Sequence, residues 1–248
     1  FLTRVTRNLN GEQAFNEENF DLLSGRSMGH SKSHKEWFKR ENEIRIGATL
    51  DLTETISIAG ETFKRGIDLC LRKANKEGGI DEGFLRLFIA NDKYAPSITL
   101  QNAQKFISQD NASLLLSPMG TLTTEALIPL TQEKKIIMLF PTSGANVFRD
   151  PDLHNIINYR ASYADEARAL VRYARDVLFK QRFAFFFQND DYGRDSLNAA
   201  KKVLYEEYHL SKEALCEASY ERNTINVDHA ARTIANFNPD VIFFFSTY

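Results

Sequence analysis

Runs of apolar residues recur along the chain and predict the strands of a sheet. They are IRIGATL (44–50), FLRLFIA (84–90), SLLLS (113–117), IIMLF (136–140), HNIINYR (154–160), RFAFFFQ (182–188) and VIFFFS (241–246). Most of these runs are continuously apolar rather than alternating, which is typical of strands that are covered on both faces. The pattern therefore predicts parallel sheets with helices on both sides.

Between these runs, apolar residues recur at helical spacing and predict helices that pack on the sheets. The three clearest stripes are Phe63, Ile67, Cys70, Leu71 and Ala74, then Ala167, Leu170, Val171, Ala174 and Leu178, and finally Val227, Ala230, Ala231 and Ile234. Gly78 or Gly79 is expected to end the first helix in the left-handed conformation. The alternation of strands and helices predicts an α/β, doubly wound fold.

The rhythm breaks between residues 141 and 162, where no amphipathic helix of useful length separates two strands. Such an interruption is typical of a crossing between two lobes, so we place the lobes at residues 44–160 and 161–248. Residues 1–43 are polar and interrupted by glycines, and they are predicted to be an N-terminal extension or linker. His30 and His34 could share one helical face as metal ligands, but no third ligand at typical spacing lies nearby, which favours a solvated tail.

Composition excludes several classes of function. The net charge is -2, with 31 basic and 33 acidic residues, so we expect no nucleic-acid partner. No apolar run approaches the roughly 18 residues of a membrane helix. Cys70 falls on an apolar helical stripe and Cys216 in a probable strand, which favours two buried free thiols over a disulfide.

Signatures of enzymes are absent from the sequence. No glycine-rich nucleotide motif, nucleophile elbow or metal-binding histidine pair of the protease type occurs, so we expect neither catalysis nor a cofactor. Asp190 and Asp191 are the only carboxylates that could be offered as an acid/base pair. Because adjacent residues at a turn usually point apart, that pairing is disfavoured.

Polar loops follow four of the predicted strands, where ligands bind in doubly wound sheets. The loops are DLTETIS (51–57), PMGTLTTE (118–125), PTSGAN (141–146) and QNDDYGRD (188–195). Hydroxyl groups near helix N-termini suit a carboxylate or similar anion, which makes Thr121, Thr123, Thr142 and Ser143 candidates. Each of them taken alone is better explained as a helix cap, and the cluster carries more weight than its members.

Several segments, in order, resemble periplasmic solute-binding proteins of the branched-chain amino acid type. They are IRIGATLDLTETISIAGETFKRGIDLCLRKANKEGGI, SPMGTLTTEALIPLTQEKKIIMLFPTSGA, NYRASYADEARAL, FFQNDDYGRD and SYERNTINV, and the resemblance covers residues 44–248. It implies a two-lobed type 1 fold that closes on a small molecule. Members of this family continue through further β/α units, so the second lobe is expected to be incomplete here and the chain to be part of a longer polypeptide.

The resemblance also implies roles for particular residues. In the first lobe, a loop hydroxyl matched by Thr121 and a turn matched by Thr142, Ser143 and Gly144 would hold the α-carboxylate and α-ammonium of an amino acid. In the second lobe, Tyr192 of a Tyr-Gly pair would contact the ligand as a lid. The full predicted set of ligand-binding residues is Thr121, Thr123, Thr142, Ser143, Gly144, Tyr192 and Tyr248.

The function implied is capture of an amino acid, or a related zwitterion or carboxylate, by an extracytoplasmic or periplasmic binding protein. Its partner would be the membrane permease of an ABC transporter. Two alternatives stay open at this point. One is the ligand-sensing domain of a signalling receptor, with a sensor module as partner, and the other is an interaction domain on the same fold that binds no small molecule.

Overall fold

A computed structural model describes residues 42–247. The predictions for the N-terminal extension, including His30 and His34, therefore lie outside the described residues, except for residues 42 and 43. Tyr248 lies outside them as well. The described part of the chain forms two parallel sheets with helices packed against them.

The first sheet contains five parallel strands in the order β2-β1-β3-β4-β5. These strands are β1 (Glu43–Leu50), β2 (Phe84–Asn91), β3 (Leu114–Leu116), β4 (Ile137–Leu139) and β5 (Ile156–Ile157). The order reverses next to β1, so β1 and β3 diverge into connections on opposite sides. This is the topology in which ligands bind beyond the carboxyl ends of the strands.

The second sheet contains three parallel strands in the order β7-β6-β8. They are β6 (Phe183–Gln188), β7 (Leu215–Tyr220) and β8 (Val241–Phe245). The central strand β6 is buried along its whole length, with apolar clusters on both faces of the sheet. On β8, which is an edge strand of the described sheet, Ile242 and Phe244 are exposed.

Seven α-helices connect the described strands. They are α1 (Ser57–Lys76), α2 (Pro96–Ser108), α3 (Thr121–Glu125), α4 (Ile128–Lys134), α5 (Tyr163–Arg172), α6 (Asp191–Glu206) and α7 (Asp228–Phe237). A π-helical turn, Tyr173–Val177, continues α5, and short 3-10 helices lie at Asn146–Arg149 and Lys212–Ala214. The predicted α/β fold with parallel sheets flanked by helices is confirmed.

One strand prediction differs from the structure, and one strand, β7, was not among the predicted apolar runs. The segment 154–160 was expected to be a full strand, but β5 has only two residues. Next to β5, the side chain of Asn155 donates hydrogen bonds to the carbonyl oxygens of Thr131 and Ile136. Strand β7 lacks a continuous apolar run because its residues alternate between buried and exposed positions.

The prediction that both cysteines are buried is wrong for Cys70. Both thiols are free, and Cys216 is buried in β7, but Cys70 is exposed on α1. The residues of α1 that are buried are Gly60 and Asn75, so the side of α1 that faces the sheet is rotated away from Cys70 and Phe63. The stripe was misplaced because the buried side of α1 includes a polar residue, Asn75, which hydrogen-bonds the main chain of Leu85.

The end of α1 agrees with the prediction from its glycines. Gly78 and Gly79 both have positive φ, at 113° and 86°. The N–H of Gly79 donates to the carbonyl oxygen of Ala74 at 2.8 Å, which caps the last turn of the helix. The chain then turns back into β2.

Candidate functional site

The polar loop after β3 brings Thr121 to the start of α3 in a tightly packed turn. Gly120 precedes it with φ of 89°, and a Cβ atom on this glycine would lie 2.4 Å from the ring of Tyr94. Only glycine fits this position, because the turn requires positive φ and leaves no room for a side chain. Thr121 itself is buried.

Ser143 lies in the loop after the neighbouring strand β4, and its hydroxyl meets that of Thr121. The two Oγ atoms are 2.9 Å apart, and both residues are almost completely buried. Ser143 Oγ also accepts a hydrogen bond from the N–H of Ala145 at 3.2 Å. The carboxyl ends of two adjacent parallel strands therefore present a paired set of hydroxyl groups.

The other candidates in these two loops contact the main chain. The hydroxyl of Thr123 donates to the carbonyl oxygens of Met119 and Gly120 within its own turn. Thr142 donates to the carbonyl oxygen of Pro118 from its N–H at 3.0 Å and from its hydroxyl at 3.2 Å. These bonds hold the loops after β3 and β4 against each other.

Gly144 lies in the polar loop after β4, where this loop contacts the start of α5. Its carbonyl oxygen accepts a hydrogen bond from the N–H of Tyr163 at 2.8 Å. A Cβ atom at Gly144 would lie 2.8 Å from the carbonyl oxygen of Ala161 and equally close to the Tyr163 ring. The role of Gly144 in this structure is thus to allow close backbone packing.

At the end of β6, Asp190 and Asp191 have separate environments. Asp190 is the N-cap of α6, and its Oδ1 accepts hydrogen bonds from the N–H groups of Tyr192 at 3.1 Å and Gly193 at 3.4 Å. Asp191 instead lines a cavity beside Glu125. A Cβ atom at Gly193 would lie 2.1 Å from the carbonyl oxygen of Gln188, so the first turn of α6 packs directly on the end of β6.

Tyr192, the predicted lid contact, packs against the apolar cluster of the first sheet. Its ring meets that of Tyr163 edge-on, with the ring centroids 5.1 Å apart. Its hydroxyl donates to the carbonyl oxygen of Ser246 at 3.0 Å. Burial raises the pKa of the Tyr192 phenol above its ordinary value, so Tyr192 presents a neutral hydroxyl group.

Tyr94 and Arg222 also lie in this region, although neither was among the site residues predicted from the sequence. Tyr94 follows β2 and is 4% exposed, and burial raises its pKa to about 12. The guanidinium of Arg222, which follows β7, lies 4.4 Å from the centroid of the Tyr94 ring and donates to the Tyr94 carbonyl oxygen. The signal that could have found Tyr94 is its place directly after a strand.

A cavity of about 320 Å³ opens between α3 and α6. Its lining residues are Thr121, Glu125, Ala145, Asn146, Val147, Asp191, Arg194, Asp195 and Asn198. Burial, and secondarily the nearby charge of Asp191, raise the pKa of Glu125. Asn146 donates to both carboxylate oxygens of Asp195, from its N–H at 2.9 Å and from its side chain at 2.8 Å.

Residues 42–247 also bear on two other kinds of site, those for a metal ion and those for a membrane. Within that range no group of three histidine, cysteine or acidic residues could hold a metal ion. None of the helices described there is long and apolar enough to cross a membrane.

The comparison with known families decides what kind of protein this is. The sequence profile of a family described as periplasmic binding protein matches residues 43–247. The chain belongs to the periplasmic binding protein family. This confirms the resemblance that the loop motifs indicated, and the family is one of binding proteins.

Individual relatives agree with this assignment. The "Leu/Ile/Val-binding protein homolog 2" of Brucella abortus is 23% identical over 166 residues, which are 66% of this chain and 44% of that protein. The structure of a substrate-binding periplasmic protein from Ralstonia solanacearum is 25% identical with a TM-score of 0.75, and the match covers 82% of this chain and 57% of that one.

The structure of a possible leucine/isoleucine/valine-binding protein from Rhodopirellula baltica has a TM-score of 0.76 at 24% identity, over 83% of this chain and 56% of that one. At this identity the likeness shows the fold. This periplasmic binding protein spans about half the length of the relatives it matches. The seven predicted ligand-binding residues stay predictions.

Proposed function

We propose that this periplasmic binding protein captures a small amino-acid-like solute between its two sheets and delivers it to the permease of an ABC transporter. The lobes would be residues 44–160 and 161–248, and the site of action would be the periplasm or another extracytoplasmic space. The single observation that carries the proposal is the buried hydroxyl pair of Thr121 and Ser143 at adjacent strand ends.

The chemistry of these residues suits a zwitterion. Within the Thr121–Ser143 bond one hydroxyl donates to the other, which leaves one hydroxyl hydrogen of the pair free to donate, and a carboxylate would accept it. Thr121 also lines the cavity that contains Glu125 and Asp191, whose carboxylates favour an ammonium group. Tyr192, which contacts the cluster of the first sheet from the start of α6, would close over the solute.

Thermal unfolding of the full chain in the presence of candidate solutes tests this function. The panel contains L-leucine, L-isoleucine, L-valine, other amino acids, small amides, short carboxylates and sugars. A solute that binds only the folded state at 100 times its Kd stabilises it by about 2.7 kcal/mol, which raises the unfolding midpoint. We expect at least one amino acid or carboxylate to do so and the sugars not to.

Variants then locate the binding site. Thr121→Ala, Ser143→Ala and Tyr192→Ala should each reduce the shift caused by the solute. Thr131→Ala is the matched control, because Thr131 is equally buried but its hydroxyl bonds the Ile128 carbonyl oxygen within α4. If no compound raises the midpoint of a folded sample that native mass spectrometry finds free of ligand, the proposal is wrong and the interaction-domain alternative replaces it.

A further inference from the structure

Gln188 is a buried polar residue at the end of β6, which is buried along its whole length. It follows FAFFF in β6 and has no exposed surface. A buried amide is unfavourable unless both its oxygen and its NH2 group are hydrogen-bonded. The partners of Gln188 therefore indicate what the residue does.

The oxygen of Gln188 joins the ends of the two neighbouring strands. Oε1 accepts hydrogen bonds from the Tyr220 hydroxyl, at the end of β7, at 3.2 Å and from the Thr247 hydroxyl, just after β8, at 3.1 Å. The N–H of Thr247 also donates to the Tyr220 hydroxyl oxygen at 3.0 Å. The carboxyl ends of all three strands of the second sheet are thus connected through one side chain.

The NH2 group of Gln188 joins these strands to α6. Nε2 donates to Oδ2 of Asp190 at 2.5 Å, while Oδ1 of the same carboxylate caps the first turn of α6. An ionised carboxylate can only accept hydrogen bonds, so the orientation of the amide follows from its partner. Tyr192 lies in that first turn.

A contact from the first sheet reaches the same side chain. The phenol of Tyr94, after β2, lies close enough to the side chain of Gln188 for Gln188 to lower the pKa of the phenol, against the larger effect of burial. Gln188 consequently meets residues from both sheets, and each of its polar ends has a partner whose place in the fold is fixed. We call Gln188, Asp190, Tyr220 and Thr247, together with Tyr94, the Gln188 network.

We propose that Gln188 is a positioning residue, which holds Asp190 and thereby sets the orientation of Tyr192 at the start of α6. Its value for ligand capture rests on the proposed function, in which Tyr192 closes over the solute. The positioning itself is a property of the ligand-free protein. It can therefore be tested without any solute.

The test is 19F NMR of the full chain labelled with 3-fluorotyrosine, which places a probe on each of the nine tyrosines. Loss of one line in Tyr192→Phe assigns the Tyr192 resonance. In Gln188→Leu, which fills a similar volume without polar atoms, we expect the Tyr192 line to shift or broaden. Asn75→Leu is the matched control, because it removes another buried amide, on α1, and should leave the line unchanged.

Gln188→Glu separates positioning from simple filling of space. A buried carboxyl group that faces Asp190 has its pKa raised by burial and by the like charge. When protonated, Glu can donate to Asp190 as Gln does, and when ionised it repels Asp190. We therefore expect the wild-type Tyr192 line at pH 5 and an altered line at pH 8.

The other ionisable groups around this position are the phenols of Tyr94 and Tyr220 and the guanidinium of Arg222, which lies on the Tyr94 ring. Burial raises the pKa of Tyr94, so its phenol is neutral over this range. Adding Asp190→Asn to Gln188→Glu removes the like charge while keeping a good N-cap, so the difference between pH 5 and pH 8 should shrink. Wild-type spectra at both pH values correct for unrelated changes.

An unchanged Tyr192 line in folded Gln188→Leu, or a pH-independent line in Gln188→Glu, would overturn the inference. If Gln188→Leu fails to fold, the Gln188→Glu series alone decides. Because no ligand is added, these results are independent of the solute panel. Failure of the panel would remove the proposed function and leave the positioning role intact.

Discussion

The strand ends of the two sheets differ in how they hold their polar side chains. In the first sheet, Thr123 and Thr142 bond main-chain oxygens in adjacent turns, and Thr121 bonds Ser143 in the next loop. In the second sheet, Gln188 bonds residues that follow two other strands and the cap of α6. The first arrangement is local to two loops, whereas the second spans the whole sheet.

This contrast indicates which polar side chains at the strand ends are held in place and which move together. Hydroxyl groups held by neighbouring main-chain atoms stay in place whether or not the rest of the protein moves. A side chain that connects three strands, a helix cap and Tyr94 changes several positions together when any partner moves. We therefore expect the polar side chains of the first sheet to be held locally and those of the second sheet to move together.

The largest expected effect is on stability, and it is measured by substituting one glycine beside each sheet. Gly193→Ala would place a Cβ atom 2.1 Å from the carbonyl oxygen of Gln188, whereas Gly144→Ala would place one 2.8 Å from that of Ala161. We expect Gly193→Ala to lower the free energy of unfolding by about 3 kcal/mol or more and Gly144→Ala by about 1 to 3 kcal/mol. Urea denaturation of each variant measures both values.

Gly66→Ala is the control for these substitutions. Gly66 lies within α1, and a Cβ atom there would meet nothing within 4 Å. Because alanine is the better helix former, this variant should be more stable than the wild type by about 0.5 to 1 kcal/mol. Equal costs at Gly193 and Gly144 would contradict the tighter packing that we infer for the second sheet.

The next effect concerns Tyr94, which links the first sheet to the Gln188 network. Its pKa is about 12 in the folded protein and 10.0 ordinarily, so between pH 10 and pH 12 the unfolded chain releases the proton while the folded chain retains it. Below pH 10 the contribution of Tyr94 to the free energy of unfolding is complete. As the pH rises through this window, that contribution falls by about 2.7 kcal/mol in total.

Urea denaturation of wild type and Tyr94→Phe at several pH values up to 12 measures this loss. The variant lacks the phenol, so its free energy of unfolding should fall less steeply above pH 10. Tyr159→Phe, at a residue that is 86% exposed, is the control and should follow the wild-type curve. Parallel curves for wild type and Tyr94→Phe would show that folding does not raise the pKa of this phenol.

A smaller effect is expected at the hydroxyl pair of Thr121 and Ser143, and it tests whether the two groups act as a unit. Ser143→Ala leaves the Thr121 hydroxyl and the Ala145 N–H without the Ser143 oxygen, at a cost of about 1 to 3 kcal/mol. Thr121→Val should cost less, because Ser143 Oγ still accepts from the Ala145 N–H. The double variant removes both hydroxyl groups and should cost less than the sum of the single variants, with a coupling of about 1 kcal/mol. Additive costs in urea denaturation would mean that the pair does not act as a unit.

Much of the fold could be predicted from the sequence, because strands that are buried on both faces are continuous apolar runs. Strand β6 and its Tyr192–Gly193 turn were found in this way. Strand β7 alternates, and it was anticipated only at Cys216. Gln188 gives no local signal, since its partners Tyr220 and Thr247 lie 32 and 59 residues further along the chain.

The smallest effect lies at the contact between Asn146, after β4, and Asp195 on α6. Asn146→Ala removes the side-chain hydrogen bond but keeps the main-chain one, and the bond is exposed to solvent. We expect a loss of about 0.5 to 1 kcal/mol in urea denaturation, the low end for a hydrogen bond. Asn198→Ala, at another residue of the same cavity, is the control.

The same two variants show whether the contact between Asn146 and Asp195 also helps to hold Tyr192 in place. If Asn146 helps to hold α6 over the first sheet, Asn146→Ala should broaden the 3-fluorotyrosine line of Tyr192 while Asn198→Ala leaves it sharp. A sharp line in both would mean that the Gln188 network alone holds Tyr192. The side-chain contacts of the second sheet would then be sufficient for orienting Tyr192.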